Sequence, residues 1–447
     1  MLFTQFVNED LGCASYLVGC EAAGEAIAVD PPFAIEPLLR EADKREVRIV
    51  RVIETHTHAD HVSGHGRLAL EHGIPVSVHP AASAEYPHDP MQDGDEIQVG
   101  NIALRCVHTP GHRPEHCCLA VVDRTRSDEP WLVLTGDSLF VGDAARPDLA
   151  VGAKEGAEGL FRSLRRLVEL GDGVEVFPGH VAGSLCGKSM SSKASTTIGF
   201  ERRFNPMLRL DGVDEFVAES ASISAPKPPN IGRIVALNRG PWVALPAAPV
   251  ELPAPPPDAQ LLDVRPVDAY LEGHRPGAIS VPVSGTSFST KAGFVLDAER
   301  PVTVLADDAT EAEQAIRGLY SVAFLEVAGF VLGGGDEEMA PVTLEELDRL
   351  VEADAAEVID VREKEERDAG YIPGSRNIPY RLMQLCCPDL ERERPLVTIC
   401  ESGARSVIAA SILKTRGYDA RPVAHGGMDE WLARGGESVS FRRCGSH

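Results

Sequence analysis

The feature that most restricts the fold is an internal repeat in the C-terminal half. Leu261-Leu262-Asp263-Val264-Arg265 matches Val358-Ile359-Asp360-Val361-Arg362 at an offset of 97 residues. Gly273-His274-Arg275-Pro276-Gly277-Ala278 matches Gly370-Tyr371-Ile372-Pro373-Gly374-Ser375 in the same register. Two matches at one offset predict two copies of a single small α/β domain. Upstream, Pro246 to Pro257 holds six prolines in twelve residues, which favours an extended, semi-rigid linker. A second boundary is expected at Gly333-Gly334-Gly335. Just beyond it, Thr343 and Glu346 predict a capping box ahead of the Leu344, Leu347, Leu350 stripe. At 447 residues, two or three domains are expected. The divisions are 1–245, the linker 246–257, a first copy 258–336 and a second copy 340–447.

The first 245 residues alternate short apolar runs with helical spacing. Strands are predicted at Ser15 to Val18, Ala26 to Val29, Val47 to Ile53, Val76 to Val78, Ile102 to Val107, Cys117 to Val122 and Trp131 to Leu134. Helices are predicted within Phe33 to Lys44 and Val62 to His72. The pattern is a layered α/β protein. The net charge of −25 argues against nucleic acid or an anionic membrane as partner, since either would be repelled. Neither a basic, apolar leader within Met1 to Asp10 nor an apolar run of about 18 residues is visible. The ten cysteines form no dense framework, and Cys117-Cys118 and Cys386-Cys387 are adjacent pairs, so a reducing cytoplasm is expected.

Thr55-His56-Thr57-His58-Ala59-Asp60-His61 directly follows the apolar run Val47 to Ile53. His112 in Pro110-Gly111-His112, Asp137 in Thr135-Gly136-Asp137 and His180 in Pro178-Gly179-His180 also follow apolar runs. Each side chain would emerge at a strand end, and such nitrogen and oxygen donors suit first-row metals. The pattern H-x-H-x-D-H with later His, Asp and His resembles the metallo-β-lactamase superfamily, which implies an αββα sandwich with metal at one edge. Thr135-Gly136-Asp137-Ser138-Leu139-Phe140, Arg146-Pro147-Asp148, Phe204-Asn205-Pro206 and Lys227-Pro228-Pro229 are similar to its persulfide dioxygenase branch. That resemblance implies mononuclear Fe(II) on His56, His112 and Asp137, with open positions for a persulfide and dioxygen. His58, Asp60, His61 and His180 would form the surroundings or a second metal site. The resemblance to glyoxalase II hydrolases implies an alternative, a binuclear Zn(II) thioester hydrolase using all seven residues. Beyond His180 the chain reads Val181-Ala182-Gly183-Ser184, departing from the tyrosine of glutathione-persulfide enzymes. Cys186 could meet a sulfur substrate, and Arg146 and Lys188 are candidate cations for an anionic persulfide.

Near the C-terminus, the apolar run Leu396 to Ile399 ends in Cys400-Glu401-Ser402-Gly403-Ala404-Arg405-Ser406, and helical spacing follows from Val407 to Leu413. A cysteine between a strand and a helix N-terminus faces backbone N–H groups that favour thiolate and hold anions. Gly403 permits the tight curve, and Arg405 can bridge the loop or neutralise its anion. C-x-x-G-x-R-S with Asp360-Val361-Arg362 upstream resembles an active rhodanese domain. In the first copy, Ala306-Asp307-Asp308-Ala309-Thr310-Glu311 takes this place, without nucleophile, glycine or arginine. That copy is expected to be a spacer or interface.

The whole order resembles persulfide dioxygenase–rhodanese fusions. It implies oxidation of a low-molecular-weight persulfide to sulfite with O2, then transfer of a sulfane sulfur from Cys400 to sulfite, giving thiosulfate. A homo-oligomer without nucleic-acid or membrane partners is expected. A non-enzymatic reading, with the repeat as a binding or sensing module, stays open, as do roles for Cys386 and Cys387.

Overall fold

In the computed structural model, residues 1–147, 151–181, 191–221, 227–385 and 390–441 are described. The chain divides into two units, Met1–Leu245 with Tyr320–Ala323, and Pro246–Leu319 with Phe324–His447.

The first unit is built on two mixed six-stranded sheets. One orders β1 (Leu2–Asn8), β2 (Cys13–Cys20), β3 (Glu25–Val29), β4 (Arg48–Ile53), β5 (Val76–Val78) and β6 (Asp89–Pro90) in sequence. The other comprises β7 (Glu96–Val99), β8 (Ile102–His108), β9 (Cys117–Asp123), β10 (Leu132–Gly136), β11 (Glu175–Pro178) and β12 (Thr196–Thr197), again neighbour to neighbour. Strands β2 and β9 are buried along their whole length because both faces are covered. Val18, Ile27 and Val29 of the first sheet meet Leu104, Leu119 and Leu134 of the second in a shared core. Outside the first sheet, α1 (Glu36–Lys44) and α2 (His65–His72) contribute Leu38 and Leu68 to a second core. Outside the other, α3 (Ala153–Val168) and α5 (Val213–Ala221) contribute Leu160, Leu164 and Phe216 to a third, with α4 (Ile198–Phe204) beside them. This is the expected αββα sandwich. Helix α6 (Ile231–Arg239) completes the unit.

The second unit holds two all-parallel, four-stranded sheets. Strands β13 (Gln260–Asp263), β14 (Ala278–Ser280), β15 (Val302–Ala306) and β16 (Val327–Leu332) lie in the order β14-β13-β15-β16. Strands β17 (Glu357–Asp360), β18 (Arg376–Asn377), β19 (Leu396–Ile399) and β20 (Ala420–Pro422) repeat that order as β18-β17-β19-β20. The helices are α7 (Val267–Glu272), α8 (Phe288–Val295) and α9 (Ala309–Ser321) in the first copy, and α10 (Leu344–Glu352), α11 (Lys364–Ala369), α12 (Ala404–Thr415) and α13 (Met428–Ala433) in the second. The repeated sequence has a structural cause. Arg265 forks onto Asp263 at 3.0 and 2.7 Å and onto the Gly273 carbonyl at 2.7 Å, and Arg362 does the same with Asp360 and Gly370 at the same distances. The two matched segments are therefore the two ends of one buried lock.

One expectation gains detail and one is corrected. The proline-rich stretch lies along a strand: Leu252 N–H donates to Phe330 O at 2.7 Å and Phe330 N–H to Val250 O at 3.0 Å, because β16 is a sheet edge with unpaired backbone groups. At Thr343 only half of the capping box forms. The Thr343 hydroxyl accepts from Glu346 N–H at 3.1 Å, but the Glu346 carboxylate is taken by Arg421 at 2.6 Å. A full box forms instead at Glu363 and Glu366, on α11.

Candidate metal centre and cysteine loop

The strand ends bring the predicted donors together. His56 follows β4, His112 follows β8, Asp137 follows β10 and His180 follows β11. Ligand atoms of His56, His112 and Asp137 lie within 4.8 Å of one another, as do those of His58, Asp60 and His61. Asp137 Oδ2 is 3.5 Å from His112 Nε2, 3.9 Å from His56 Nε2 and 3.3 Å from His180 Nε2. His180 Nε2 is also 3.3 Å from Asp60 Oδ2, so Asp137 and His180 join the two groups.

The outer nitrogens set the tautomers. His112 Nδ1 donates to the Arg146 carbonyl at 3.1 Å. Thr55 Oγ1 donates to Asp30 at 2.7 Å, which leaves its lone pair for His56 Nδ1–H at 2.9 Å. Both Nε2 lone pairs are thereby free for a ligand. Burial lowers the pKa of His112 despite Asp137, and burial with neighbouring His58 holds His56 well below the imidazole range. Burial alone would raise Asp137, but His180 and His112 outweigh it and keep the carboxylate ionised far below its usual range. Asp137 Oδ1 and His58 Nδ1 are buried without a hydrogen-bond partner among the described residues. A cation on this donor set would satisfy such orphaned atoms, so the residues fit a first-row metal.

Several contributors were not anticipated. His58 Nε2 sits 3.3 Å from both Asp30 Oδ1 and Glu54 Oε2, which outweigh burial and raise its pKa. Glu54 precedes the histidine motif directly, so its position was a usable signal; Asp30, at the end of β3, offered none. Asn238 of α6 reaches the motif loop from far along the chain. Its Nδ2 donates to His58 O at 3.0 Å and His61 O at 2.7 Å, and its Oδ1 accepts from Ser63 N–H at 2.9 Å. Glu201 and Asn205 brace the loop that carries Arg146: Gly142 N–H donates to Glu201 at 3.0 Å, and Asn205 Nδ2 donates to Asp143 O at 2.9 Å. His116, wholly buried beside the triad, is pushed down to about 3 by burial and by His112. At Gly136 (φ +45°) a Cβ would lie 2.8 Å from His116 Nε2 and Thr55 Oγ1, so no other residue fits between them.

Of the predicted cations, Arg146 is buried at 4% exposure rather than solvated, and its carbonyl orients His112. Arg113, next to His112, is paired with Glu115 at 2.7 Å. Cys186 and Lys188, like Cys386 and Cys387, lie outside the described residues.

Cys400 stands between β19 and α12, 1% exposed, with Gly403 N–H donating to its sulfur at 3.1 Å. Gly403 has φ +107°, and a Cβ there would lie 1.9 Å from Ala424 O. Arg405 turns both terminal nitrogens to the Glu366 carboxylate at 2.7 Å, and this ion pair, with a smaller pull from the Cys400 sulfur, raises its pKa further. Arg362 holds the loop through Glu401 at 3.1 Å. In the first copy Arg265 approaches Asp307 at 3.9 Å, while β15 ends in Ala306 where β19 leads into Cys400.

The sequence profile of the metallo-beta-lactamase superfamily matches residues 9–180, and that of the rhodanese-like domain matches residues 343–434. A crystal structure of a metallo-beta-lactamase from Staphylococcus aureus is similar with a TM-score of 0.70 and 30% identity, over 74% of this chain and 99% of that one. Human mitochondrial persulfide dioxygenase is 30% identical over 247 residues, 54% of this chain and 89% of that protein. The hydroxyacylglutathione hydrolase of Polaromonas is 29% identical over 222 residues, 44% of this chain and 81% of that protein. No helix among the described residues is long and apolar enough to cross a membrane. With this fold, donor set and cysteine loop, the chain belongs to the metallo-beta-lactamase superfamily as a persulfide dioxygenase relative fused to a rhodanese-like domain.

Proposed function

We propose that the protein oxidises low-molecular-weight persulfides with O2 and passes sulfane sulfur to the resulting sulfite through Cys400. Residues 1–245 form the oxidising domain, 246–257 the linker, 258–336 a degenerate rhodanese copy and 340–447 the active one. The observation that carries this reading is the His56, His112, Asp137 triad within 4.8 Å, a two-histidine, one-carboxylate set, in a relative of persulfide dioxygenases. Bound iron(II) would supply open positions for persulfide sulfur and dioxygen, and redox chemistry that zinc lacks.

The residues' parts follow from their contacts. His56 and His112 present neutral Nε2 atoms because Thr55 and the Arg146 carbonyl hold their Nδ1 protons. Asp137 contributes an ionised carboxylate, steadied by His180. His58, Asp60 and His61 shape the adjoining wall. Arg146, Cys186 and Lys188 are the residues proposed to meet the persulfide. The net reaction is R–S–SH + O2 + H2O → R–SH + SO3²⁻ + 2 H⁺. At the second site the Cys400 thiolate attacks the outer sulfur of another persulfide. The S–S bond breaks, R–SH leaves with the proton, and Cys400 becomes a persulfide. Sulfite then attacks that outer sulfur, giving thiosulfate and restoring the thiolate.

A zinc thioester hydrolase is the second reading, favoured by the second donor group His58, Asp60, His61 and by the hydrolase relative. Oxygen uptake on a panel of persulfides, with iron and zinc quantified in the same preparation, separates the two. About one iron per chain with persulfide-dependent uptake is expected. Full thioester hydrolysis with two zincs and no uptake overturns the proposal.

A further inference from the structure

We infer that the inactive rhodanese copy is a positioning domain for the Cys400 loop, because it supplies the second wall for the helix that springs from that loop. The inference rests on Cys400 being the reactive thiol of the proposed function. Helix α12 begins at Ala404, one residue beyond Gly403, and Ser406–Leu413 are eight consecutive buried residues. A helix buried on all sides needs cover on two opposite faces. Its own sheet, through β19 and β20, covers one, and β14 of the inactive copy packs on it as well.

The contact is specific rather than merely apolar. Strand β14 is an edge of its sheet, and its Ser280 N–H donates to Ser411 Oγ of α12 at 3.1 Å, with both residues wholly buried. A small side chain at Ser411, beside Ala409 and Ala410, lets the backbones approach, and its hydroxyl closes an otherwise orphaned edge donor. A second link reaches the loop from the side. Gln384 Nε2 donates to the Val295 carbonyl at the end of α8 at 2.7 Å. Phe294 of α8 stands edge-on to Tyr380 at 6.3 Å and 74°. Tyr380 is anchored by its N–H to Val361 O at 3.0 Å, next to the Arg362 that holds Glu401. Lys414, in the last turn of α12, donates at 3.2 Å to the carbonyl of Glu338, in the short segment that joins the two copies. The inactive copy has lost its nucleophile but kept the surface that these contacts need.

The test uses full-length protein carrying Phe294→Ala, in the inactive copy, and Ser411→Val, at the interface. Three quantities are read: persulfide-dependent oxygen uptake, sulfur transfer, and the alkylation rate of Cys400 by iodoacetamide, followed on its own peptide. Each variant is expected to change Cys400 alkylation and sulfur transfer by about tenfold while oxygen uptake stays within twofold. Gln384→Leu, partly buried and opening no cavity, carries the same direction of change should either variant fold poorly. Alkylation and transfer within twofold of the parent in all three variants would overturn the inference. The alkylation readout does not depend on persulfide as substrate, so failure of the proposed function would register separately, as absent uptake and transfer in the parent.

Discussion

Replacing Asn238 with leucine would test whether the metal loop is held from a distance. The side chain is 4% exposed and makes three hydrogen bonds, to His58 O, His61 O and Ser63 N. Leucine keeps the branched shape of the side chain but is bulkier, so overpacking adds to the polar loss, which alone sets the lower bound on the cost. The Ser63 N–H has one bonding direction, and leaving it buried and unpaired costs about 1–3 kcal/mol. Each carbonyl keeps a second lone pair and loses less, about 1 kcal/mol. The expected destabilisation of the metal-free first unit is therefore roughly 3–5 kcal/mol. Because both carbonyls belong to predicted metal-site residues, metal affinity should also fall about 10–100-fold, as when partners behind the ligands are removed elsewhere. Urea unfolding of the metal-free protein measures the first effect, and titration against a competing chelator measures the second. A stability loss below about 1 kcal/mol together with unchanged affinity would refute the reasoning.

Three further outcomes are expected. Cys400→Ser should leave persulfide-dependent oxygen uptake intact while the product shifts from thiosulfate to sulfite, and an unchanged thiosulfate yield on chromatography would remove Cys400 from the pathway. Glu54, ordinarily near 4.5, is lowered to about 2: burial opposes the shift, but His58 and His65 outweigh it. Its contribution to stability is thus fully present above 4.5 and is lost as pH falls through about 2, so Glu54→Gln should flatten the acid side of the stability profile over that window; an identical slope in both proteins counts against the network. Gly403→Ala places a methyl 1.9 Å from Ala424 O at φ +107°, and should cost roughly 2–4 kcal/mol and abolish sulfur transfer, as measured by thermal unfolding and a cyanide-acceptor assay.

Local pattern was enough for the architecture. The offset of 97 residues marks two copies of one domain because Asp-Val-Arg and the glycine segment are two ends of the same lock, so neither can drift without the other. The donors were legible because each stands a few residues at most past the C-terminal end of a strand, where the end of an apolar run is visible in the chain itself. Cys400 was legible for the same reason. What those local signals do not contain is the partner across space. Arg405 was expected to bridge the loop or neutralise its anion, and no local signal shows that a carboxylate 39 residues away also binds both its terminal nitrogens. Glu346 was expected to close a cap, but Arg421 claims it. Asn238 lies 175 residues or more from the loop it holds, and nothing in its neighbours announces that role.

The sequence by itself determined the layered α/β fold, the repeat, the metal-competent strand ends and the cysteine loop, since each depends on residues close together in the chain. Only the tertiary structure decided which donors converge on Asp137, which tautomers they present, which arginines are already paired, and that β14 of the first copy packs on α12. Those depend on competition among charged and hydrogen-bonding groups from distant segments, and geometry, not spacing, settles which partner wins.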